Sequence, residues 1–213
     1  KLANKYNFLR HDWNGFNVLH NVASRPGAME VGFLPESGGR NLDQILEGCN
    51  DGKISTLFLL GADEVVLGDT SDCFVVYLGH HGDNGAHQAD LILPSPAFNE
   101  QNGLYLNTEG RVQESVRATF PVGDAKEDWE IVSMISKKMN LDFQINSFDE
   151  LRDEIFKSFP DLKKFDQCIL GSLPKEMKNQ NIKKHKFCNA VENFWLTNSI
   201  TRSSKILCDR NQF

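Results

Sequence analysis

The chain lacks any C-x-x-C pair, although it contains five cysteines. An odd number of widely spaced cysteines does not form a disulfide framework, and iron–sulfur ligands are mostly closely spaced thiolates. We therefore expect free thiols in a reducing compartment, with no metal and no cluster bound by this chain. The cysteines are Cys49, Cys73, Cys168, Cys188 and Cys208.

Long apolar runs and an excess of positive charge are also missing. No stretch approaches the roughly 18 apolar residues of a membrane span, so no direct span is expected. The net charge of −6 argues against a nucleic-acid partner, because proteins that bind nucleic acid carry basic patches. No apolar run follows the N-terminal Lys1 to Lys5, so we expect no signal peptide, and the lack of an initiating Met favours a fragment or a processed product.

Familiar nucleotide-binding and catalytic patterns are absent as well. Neither Gly61-Ala62-Asp63 nor the stretch from Gly79 to Asp83 is a G-x-G-x-x-G loop in front of a long helix. No Ser-His-Asp or Cys-His spacing stands out, so we expect no catalytic residue in this chain. Five arginines are scattered and are expected to be surface charges: Arg25, Arg40, Arg111, Arg117 and Arg202.

Short apolar runs bounded by Gly or Pro are present and predict a parallel sheet. Runs of this kind are typical of strands buried on both faces and covered by helices. Ligands of such sheets bind beyond the carboxyl ends of the strands, so a cofactor pocket would lie at residues 79–85 and 94–99. The predicted strands are residues 55–60, 74–78 and 91–93.

Helical spacing of apolar residues, with end signals, predicts four helices. The first includes Trp13, Phe16 and Leu19 and should end at Pro26-Gly27. Capping-box pairs should start the other three, since the N-cap and the third helical residue satisfy each other's backbone N–H groups. These helices lie near residues 42–50, 129–139 and 148–159, with the pairs Asn41/Gln44, Asp124/Glu127 and Ser147/Glu150.

Several motifs resemble the molybdopterin oxidoreductase family. The strongest is ADLILPSPAFNEQNGLYLNTEGRVQ at residues 89–113. Four further motifs resemble one branch of that family, the large iron–sulfur subunits of respiratory complex I. They are LLGAD at residues 59–63, YLGHHGD at 77–83, DWEI at 128–131 and SITRSS at 199–204, which is followed by Cys208. The motifs are specific in combination and weak singly.

The resemblance implies an α/β fold, a Rossmann-like parallel sheet with helices on both faces, followed by a helical and irregular C-terminal tail. The expected parts are a Rossmann-like part at residues 1–122, a helical extension at 123–160 and an extended tail at 161–213. In that tail, residues 161–186 are rich in Lys and Asn, and we expect an extended surface segment that is partly helical or mobile.

The resemblance also implies a function. The chain would be a structural and assembly part of NADH:ubiquinone oxidoreductase, in the peripheral arm that passes electrons from NADH to ubiquinone. It would have no redox centre of its own, because the iron–sulfur clusters belong to the N-terminal region of the full subunit. Its partners would be that region and other peripheral-arm subunits. Its place would be the matrix side of the mitochondrial inner membrane, or the cytoplasmic face of the inner membrane in an α-proteobacterium.

Two other functions stay open. One is the C-terminal half of an active molybdenum or tungsten oxidoreductase, similar to formate dehydrogenase. The other is a stand-alone interaction module that kept the fold. If the pterin pocket were active, the candidate cofactor-binding residues would be His80, His81, Asn107, Glu109 and Arg111.

The roles expected for these candidates are mainly structural. His80 and His81 are adjacent at a strand end, so their side chains should point in opposite directions, and Asp83 and His87 nearby do not complete a ligand set. Arg111 offers a planar fork of donors after Gly110. We expect an internal ion pair or a contact with backbone carbonyls, and the alternative is a clamp for phosphate or carboxylate.

Overall fold

The computed structural model describes residues 2–20, 22–168 and 193–210. Cys188 and most of the segment predicted to be extended, residues 169–186, lie outside the described residues. The chain divides into two compact units. The first unit comprises Lys1–Gly32, Leu104–Ser115 and Ile155–Glu192, and the second comprises Phe33–Gly103, Val116–Glu154 and Asn193–Phe213. Each unit therefore draws on three separate stretches of the chain. The domain limits expected at residues 122 and 160 stay a prediction.

The elements follow one another in a mixed α/β order. The helices are α1 (Leu2–Lys5), α2 (Arg25–Glu30), α3 (Leu42–Asn50), α4 (Asn84–His87), α5 (Asp128–Lys138), α6 (Phe148–Ser158), α7 (Ser199–Ser203) and α8 (Lys205–Arg210). The strands are β1 (Thr56–Leu60), β2 (Phe74–Gly79), β3 (Leu91–Pro94), β4 (Gly103–Leu106) and β5 (Val112–Ser115). None of the helices in the described ranges has the length and apolar character needed to cross a bilayer.

A three-stranded parallel sheet forms the centre of the second unit, as the apolar runs predict. Its order is β1-β2-β3, with β2 in the middle. Phe58 lies opposite Val76, and Val76 lies opposite Leu91, so these three side chains share one face of the sheet. All three strands therefore end at the same edge, where their carboxyl ends meet.

Helices cover both faces of this sheet, which confirms the predicted fold class. On one face, Val75 and Tyr77 of β2 pack with Leu46 of α3 and Ala86 of α4. On the other face, β2 and β3 pack against one helix, α5. That contact consists of Val76, Leu78 and Leu93 with Ile131 and Ile135.

The expectation that every strand is buried on both faces is wrong for the two edge strands, β1 and β3. Phe58 and Leu60 of β1 are 48% and 51% exposed and Ile92 of β3 is 51% exposed, whereas Val76 in β2 is 4% exposed. The difference follows from position, because β1 and β3 lie at the edges of the sheet and β2 lies between them. An apolar run alone does not distinguish a central strand from an uncovered edge.

The first unit contains a second, two-stranded sheet made of β4 and β5. The sequence predicted no strand here, and each of the two strands is only four residues long. Leu106 and Val112 form a core with Leu162, and Ile155 and Phe159 pack against it. The apolar stripe of the helix predicted at 148–159 thus has a buried partner at its C-terminal end.

Helix starts follow the sequence signals in two of three cases. Asn41 and Gln44 form the predicted capping box of α3, with N···O distances of 3.0 Å in both directions. Ser147 Oγ accepts from Glu150 N at 3.1 Å, which caps α6. For α5 the predicted Asp124/Glu127 pair is wrong, because the helix begins later, at Asp128, with Glu127 as N-cap.

The helix predicted over residues 13–23 is also wrong. Residues 15–20 contain no helix, and Leu19 is 86% exposed. Pro26 lies inside the first turn of α2 and does not end a helix. Proline is tolerated there because the first N–H groups of a helix have no partner within it. The aromatic spacing in this segment was therefore misleading.

Candidate functional site

The candidate site lies in the second unit, at the carboxyl edge of the parallel sheet. After β1 the chain turns at Gly61, whose φ is +59°, and places Asp63 in a buried position with 3% exposure. Tyr77 Oη donates to Asp63 Oδ2 at 3.0 Å. The other oxygen, Asp63 Oδ1, is buried and accepts no hydrogen bond. A carboxylate with one unsatisfied oxygen therefore lies at this edge.

Two glycines make room for the Tyr77 ring. A Cβ at Gly79 would lie 2.0 Å from Tyr77 Oη, and a Cβ at Gly85 would lie 2.7 Å from Tyr77 Cε2. Burial raises the pKa of the Tyr77 hydroxyl, and the hydrogen bond to Asp63 raises it further. Tyr77 consequently stays protonated and acts as a fixed donor to Asp63.

His80 and His81 contact each other, contrary to the expectation that they point in opposite directions. Their Nδ1 atoms are 2.6 Å apart, and the rings meet edge to face at 4.8 Å. The strand alternation does not apply, because β2 ends at Gly79 and both histidines lie in the turn that follows. Since one nitrogen must donate and the other accept, the pair holds a single proton between the two Nδ1 atoms.

Asp128 lies near this histidine pair, at the start of α5. Burial raises the pKa of its carboxyl, which the hydrogen bond from Ser95 and the charge of His80 offset only in part. Desolvation of the His80 ring lowers the pKa of His80, and His81 lowers it further. The lowered pKa keeps His80 neutral at neutral pH. The raised pKa makes the Asp128 carboxyl easier to protonate.

Arg202 brings the positive charge to this edge. Its Nε donates to Asp83 Oδ2, its Nη2 donates to Glu64 Oε1 at 2.9 Å, and its Nη1 donates to the Leu196 carbonyl at 3.1 Å. Burial lowers the pKa of Arg202, but the hydrogen bonds to Asp83 and Glu64 outweigh burial and the net shift is upward. The expectation of a plain surface charge is therefore wrong for Arg202, whose side chain is 22% exposed.

Local structure holds both ends of this contact in place. Asn198 caps α7, because its Oδ1 accepts from Thr201 N at 2.9 Å and Thr201 Oγ1 accepts from Asn198 N at 3.2 Å. Asp83 caps α4 through Asn84 N at 2.9 Å while its other oxygen binds Arg202. The one sequence signal that pointed to Arg202 was its place inside the SITRSS motif.

The other three candidates, Asn107, Glu109 and Arg111, lie in the turn between β4 and β5, in the first unit. Asn107 Oδ1 accepts from Glu109 N and Arg111 N, both at 2.9 Å, and Gly110 has φ +83°. Arg111 Nη1 donates to the Asp166 carbonyl, and Arg111 Nη2 is 3.9 Å from Glu109 Oε2. The candidates thus fall into two groups in different units, and their roles stay predictions.

No three His, Cys, Asp or Glu side chains gather as a possible metal-ligand set within residues 2–20, 22–168 and 193–210. At the strand ends, Asp63, Glu64 and Asp83 supply carboxylates, and Arg202 binds two of them, Glu64 and Asp83. The arrangement can fix chain segments and hold protons.

The chain matches two known families along its length. Residues 1–138 match the molybdopterin oxidoreductase family. The chain belongs to the molybdopterin oxidoreductase family. Residues 170–208 match a second family, the C-terminal region of one of the subunits of NADH-ubiquinone oxidoreductase. The predicted resemblance is confirmed by both matches.

Relatives extend the similarity along nearly the whole chain. An NADH-quinone oxidoreductase subunit of Rickettsia bellii is 37% identical over 96% of this chain and 28% of its own length. The mitochondrial NADH dehydrogenase [ubiquinone] iron-sulfur protein 1 of Solanum tuberosum is 38% identical over 97% of this chain and 27% of its own. The mitochondrial 78 kDa subunit of NADH-ubiquinone oxidoreductase of Neurospora crassa is 39% identical over 95% and 27%. The chain therefore spans somewhat more than a quarter of the length of these relatives.

The strand-end residues do not fit the pterin cofactor of the family. Such a cofactor carries phosphate, which needs free cations or backbone N–H groups. Here Asp63, Glu64 and Asp83 supply negative charge, and Arg202 is engaged by two of them. A phosphate placed at this edge would therefore meet carboxylates.

Proposed function

We propose that this chain is part of the large iron–sulfur subunit of respiratory complex I, the proton-translocating NADH:ubiquinone oxidoreductase. It contributes packing and assembly surface in the peripheral arm and carries no redox centre of its own. Electrons pass through iron–sulfur clusters in the remainder of the subunit. The proposed partners are that remainder and neighbouring peripheral-arm subunits. The proposed place is the matrix side of the mitochondrial inner membrane, or the cytoplasmic face in an α-proteobacterium.

The relatives support this function by their names and by their coverage. Two of the relatives described above are named as oxidoreductase subunits and the third as an iron-sulfur protein of NADH dehydrogenase, and all align over at least 95% of this chain. The second family match covers the segment that contains Arg202. The strand-end contact of Arg202 thus lies in the region shared with those subunits.

The observation that carries the assembly role is the apolar surface that α5 leaves exposed on its face of the parallel sheet. Phe58 and Leu60 of β1, Phe74 of β2 and Leu91 of β3 are 42–51% exposed. The register places them on the same face of the sheet as Val76 and Leu78. On this face α5 packs against β2 and β3 and does not contact β1 in the buried cluster. Contiguous exposed apolar surface of this kind marks an interaction site.

The strand-end geometry supports a structural role as well. Arg202 is bound at three points: Glu64 follows β1, Asp83 follows β2 and Leu196 precedes α7. A guanidinium held in this way fixes the loops after β1 and β2 against α7. Its hydrogen-bonding capacity is used inside the protein, as expected for a structural contact.

Replacement of the apolar face by polar residues tests the proposal in the organism that carries the protein. A Phe58→Ser/Leu60→Ser double variant should lower the amount of assembled complex several-fold. NADH:ubiquinone turnover per assembled complex should stay at the wild-type value. Val66→Ser is the matched control, because Val66 is 78% exposed in the loop after β1 and lies outside the sheet.

Two results would overturn the proposal. Normal assembly with turnover per complex reduced a hundredfold would show chemistry at this part of the subunit. Molybdenum or tungsten at one atom per purified full-length protein would instead support the active oxidoreductase, which the family match alone allows.

A further inference from the structure

Two buried cysteines from different elements meet in the second unit. Cys49 lies in the last turn of α3, and Cys73 directly precedes β2. Their Sγ atoms are 3.6 Å apart, and the residues are 1% and 4% exposed. No role described above uses this pair, and the spacing of the cysteines in the sequence does not indicate it.

The backbone around both cysteines is fixed by hydrogen bonds. Gly52 N donates to the Cys49 carbonyl at 3.1 Å, and Cys73 N donates to the Thr70 carbonyl at 2.9 Å. Phe74 N donates to the Ser55 carbonyl at 2.9 Å, which joins the starts of β1 and β2. The two sulfurs are therefore held together by the elements on both sides of them, and Cys73 Sγ donates its hydrogen to Cys49 Sγ.

We propose that Cys49 and Cys73 form a redox-active dithiol, which a hydroperoxide closes to a disulfide. A disulfide needs an S–S bond of about 2.05 Å, so the two sulfurs must approach each other from 3.6 Å. The closed form links the end of α3 to the start of β2 and encloses the whole of β1.

The reaction balances with one hydroperoxide for each pair. One thiolate sulfur attacks a peroxide oxygen, the O–O bond breaks, and the leaving oxygen takes a proton and departs as water or an alcohol. The sulfenic acid that remains is attacked by the second sulfur, the S–O bond breaks, and a second water leaves. Two thiols lose two electrons and two protons in total, and the peroxide takes up both.

The environment makes closure slow at neutral pH. Burial raises the pKa of the Cys73 thiol to about 11, and the hydrogen bond to Cys49 and the charge of Asp90 add to this. Because the thiolate is the nucleophile, the pair reacts slowly with peroxide at neutral pH and faster as pH rises. Cys168, which is exposed, provides an internal comparison for reactivity.

The test uses the full-length protein in the assembly from which it is isolated. The sample is reduced, desalted without oxygen, treated with hydrogen peroxide and then blocked with N-ethylmaleimide before denaturation. Trypsin cuts after Lys53 and so separates the two cysteines into different peptides. The expected product is the Cys49 peptide joined to the Cys73 peptide, two hydrogens lighter than the sum of the two, and lost on reduction.

Variants and alternative products decide the outcome. Cys208→Ser is the matched control and should leave the Cys49–Cys73 product unchanged, whereas Cys49→Ser should abolish it. Recovery of both cysteines as free thiols after prolonged peroxide treatment at alkaline pH, where the Cys73 thiol is deprotonated, would overturn the proposal. Recovery of either one as a sulfinic acid or joined to a different cysteine would overturn it as well. Because the wild-type protein gives the deciding product, the result does not depend on whether the Cys49→Ser variant folds.

Discussion

Arg202 Nε donates a hydrogen bond to the carboxylate of Asp83, although 119 positions separate the two residues in the sequence. The contact joins a C-terminal helix to the turn that follows the central strand. It gives Asp83 a second partner besides the N-terminus of α4, and it places a positive charge among the carboxylates at the strand ends. Most of our predictions concern this edge of the sheet.

Arg202→Ala should destabilise the second unit by about 2 kcal/mol, because two partly buried carboxylates lose a charged hydrogen-bond donor. Urea unfolding of the 213-residue chain, followed by circular dichroism, measures this loss. Lys205→Ala, at the exposed start of α8, is the control and should change the free energy of unfolding by less than about 0.5 kcal/mol. Equal effects of the two substitutions would show that the Asp83 and Glu64 contacts contribute nothing.

Tyr77→Phe should cost about 1–3 kcal/mol, because it removes the donor to Asp63 and leaves both oxygens of a buried carboxylate without a partner. Asp63→Ala should cost less when Tyr77→Phe is already present, since an apolar pair leaves no unsatisfied group. A double-mutant cycle on the free energy of unfolding measures this coupling. Strict additivity of the two changes would contradict the hydrogen bond.

Gly85→Ala should destabilise the second unit by about 1–3 kcal/mol, because the added Cβ would overlap the Tyr77 ring. Gly82→Ala is a matched control in the turn just before α4, since a Cβ there meets nothing within 4 Å. The control should lie within about 0.5 kcal/mol of wild type. Thermal unfolding of both variants gives the comparison, and a neutral Gly85→Ala would reject the close packing of the ring.

The lowered pKa of His80 makes stability depend on pH. Below the ordinary value of 6.5 the unfolded chain takes up the proton more readily than the folded chain, so stability falls as pH falls from 6.5 towards the lowered pKa. Above 6.5 this contribution is flat. His80→Asn should therefore show a smaller drop in Tm between about pH 7 and about pH 5 than wild type does.

The control for this pH dependence is His87→Asn, which leaves the contact between His80 and His81 intact. It should reproduce the wild-type drop in Tm over the same range. An unchanged drop in the His80→Asn variant would show that another group supplies the pH dependence.

Local signals in the sequence predicted the parts of the fold that are built from neighbouring residues. The Asn41/Gln44 capping box and the three apolar runs involve short-range contacts, and the structure contains all of them. The family motifs also located the strand-end loops, because each motif is continuous along the chain. Where a regular pattern had no buried partner, as at Leu19, the prediction failed.

Contacts between distant segments could not be predicted. The partner of Arg202 depends on how α7 approaches the sheet, and the 3.6 Å approach of Cys49 and Cys73 depends on how α3 packs on it. The exposure of Phe58 depends on which strand lies at the edge. Each of these features is set by topology, and a single sequence contains no direct signal for it.

The order of the chain within the second unit has a consequence for biosynthesis. The ribosome makes the three parallel strands before Arg202, which lies in Asn193–Phe213, the last stretch of that unit. Until this stretch emerges, the nascent sheet carries Asp63, Glu64 and Asp83 with no guanidinium to neutralise them. Domains generally complete their folding as units. A premature stop codon shortly before Arg202 should therefore yield a translation product that chaperones retain and proteases remove, even though every strand of the sheet has been synthesised.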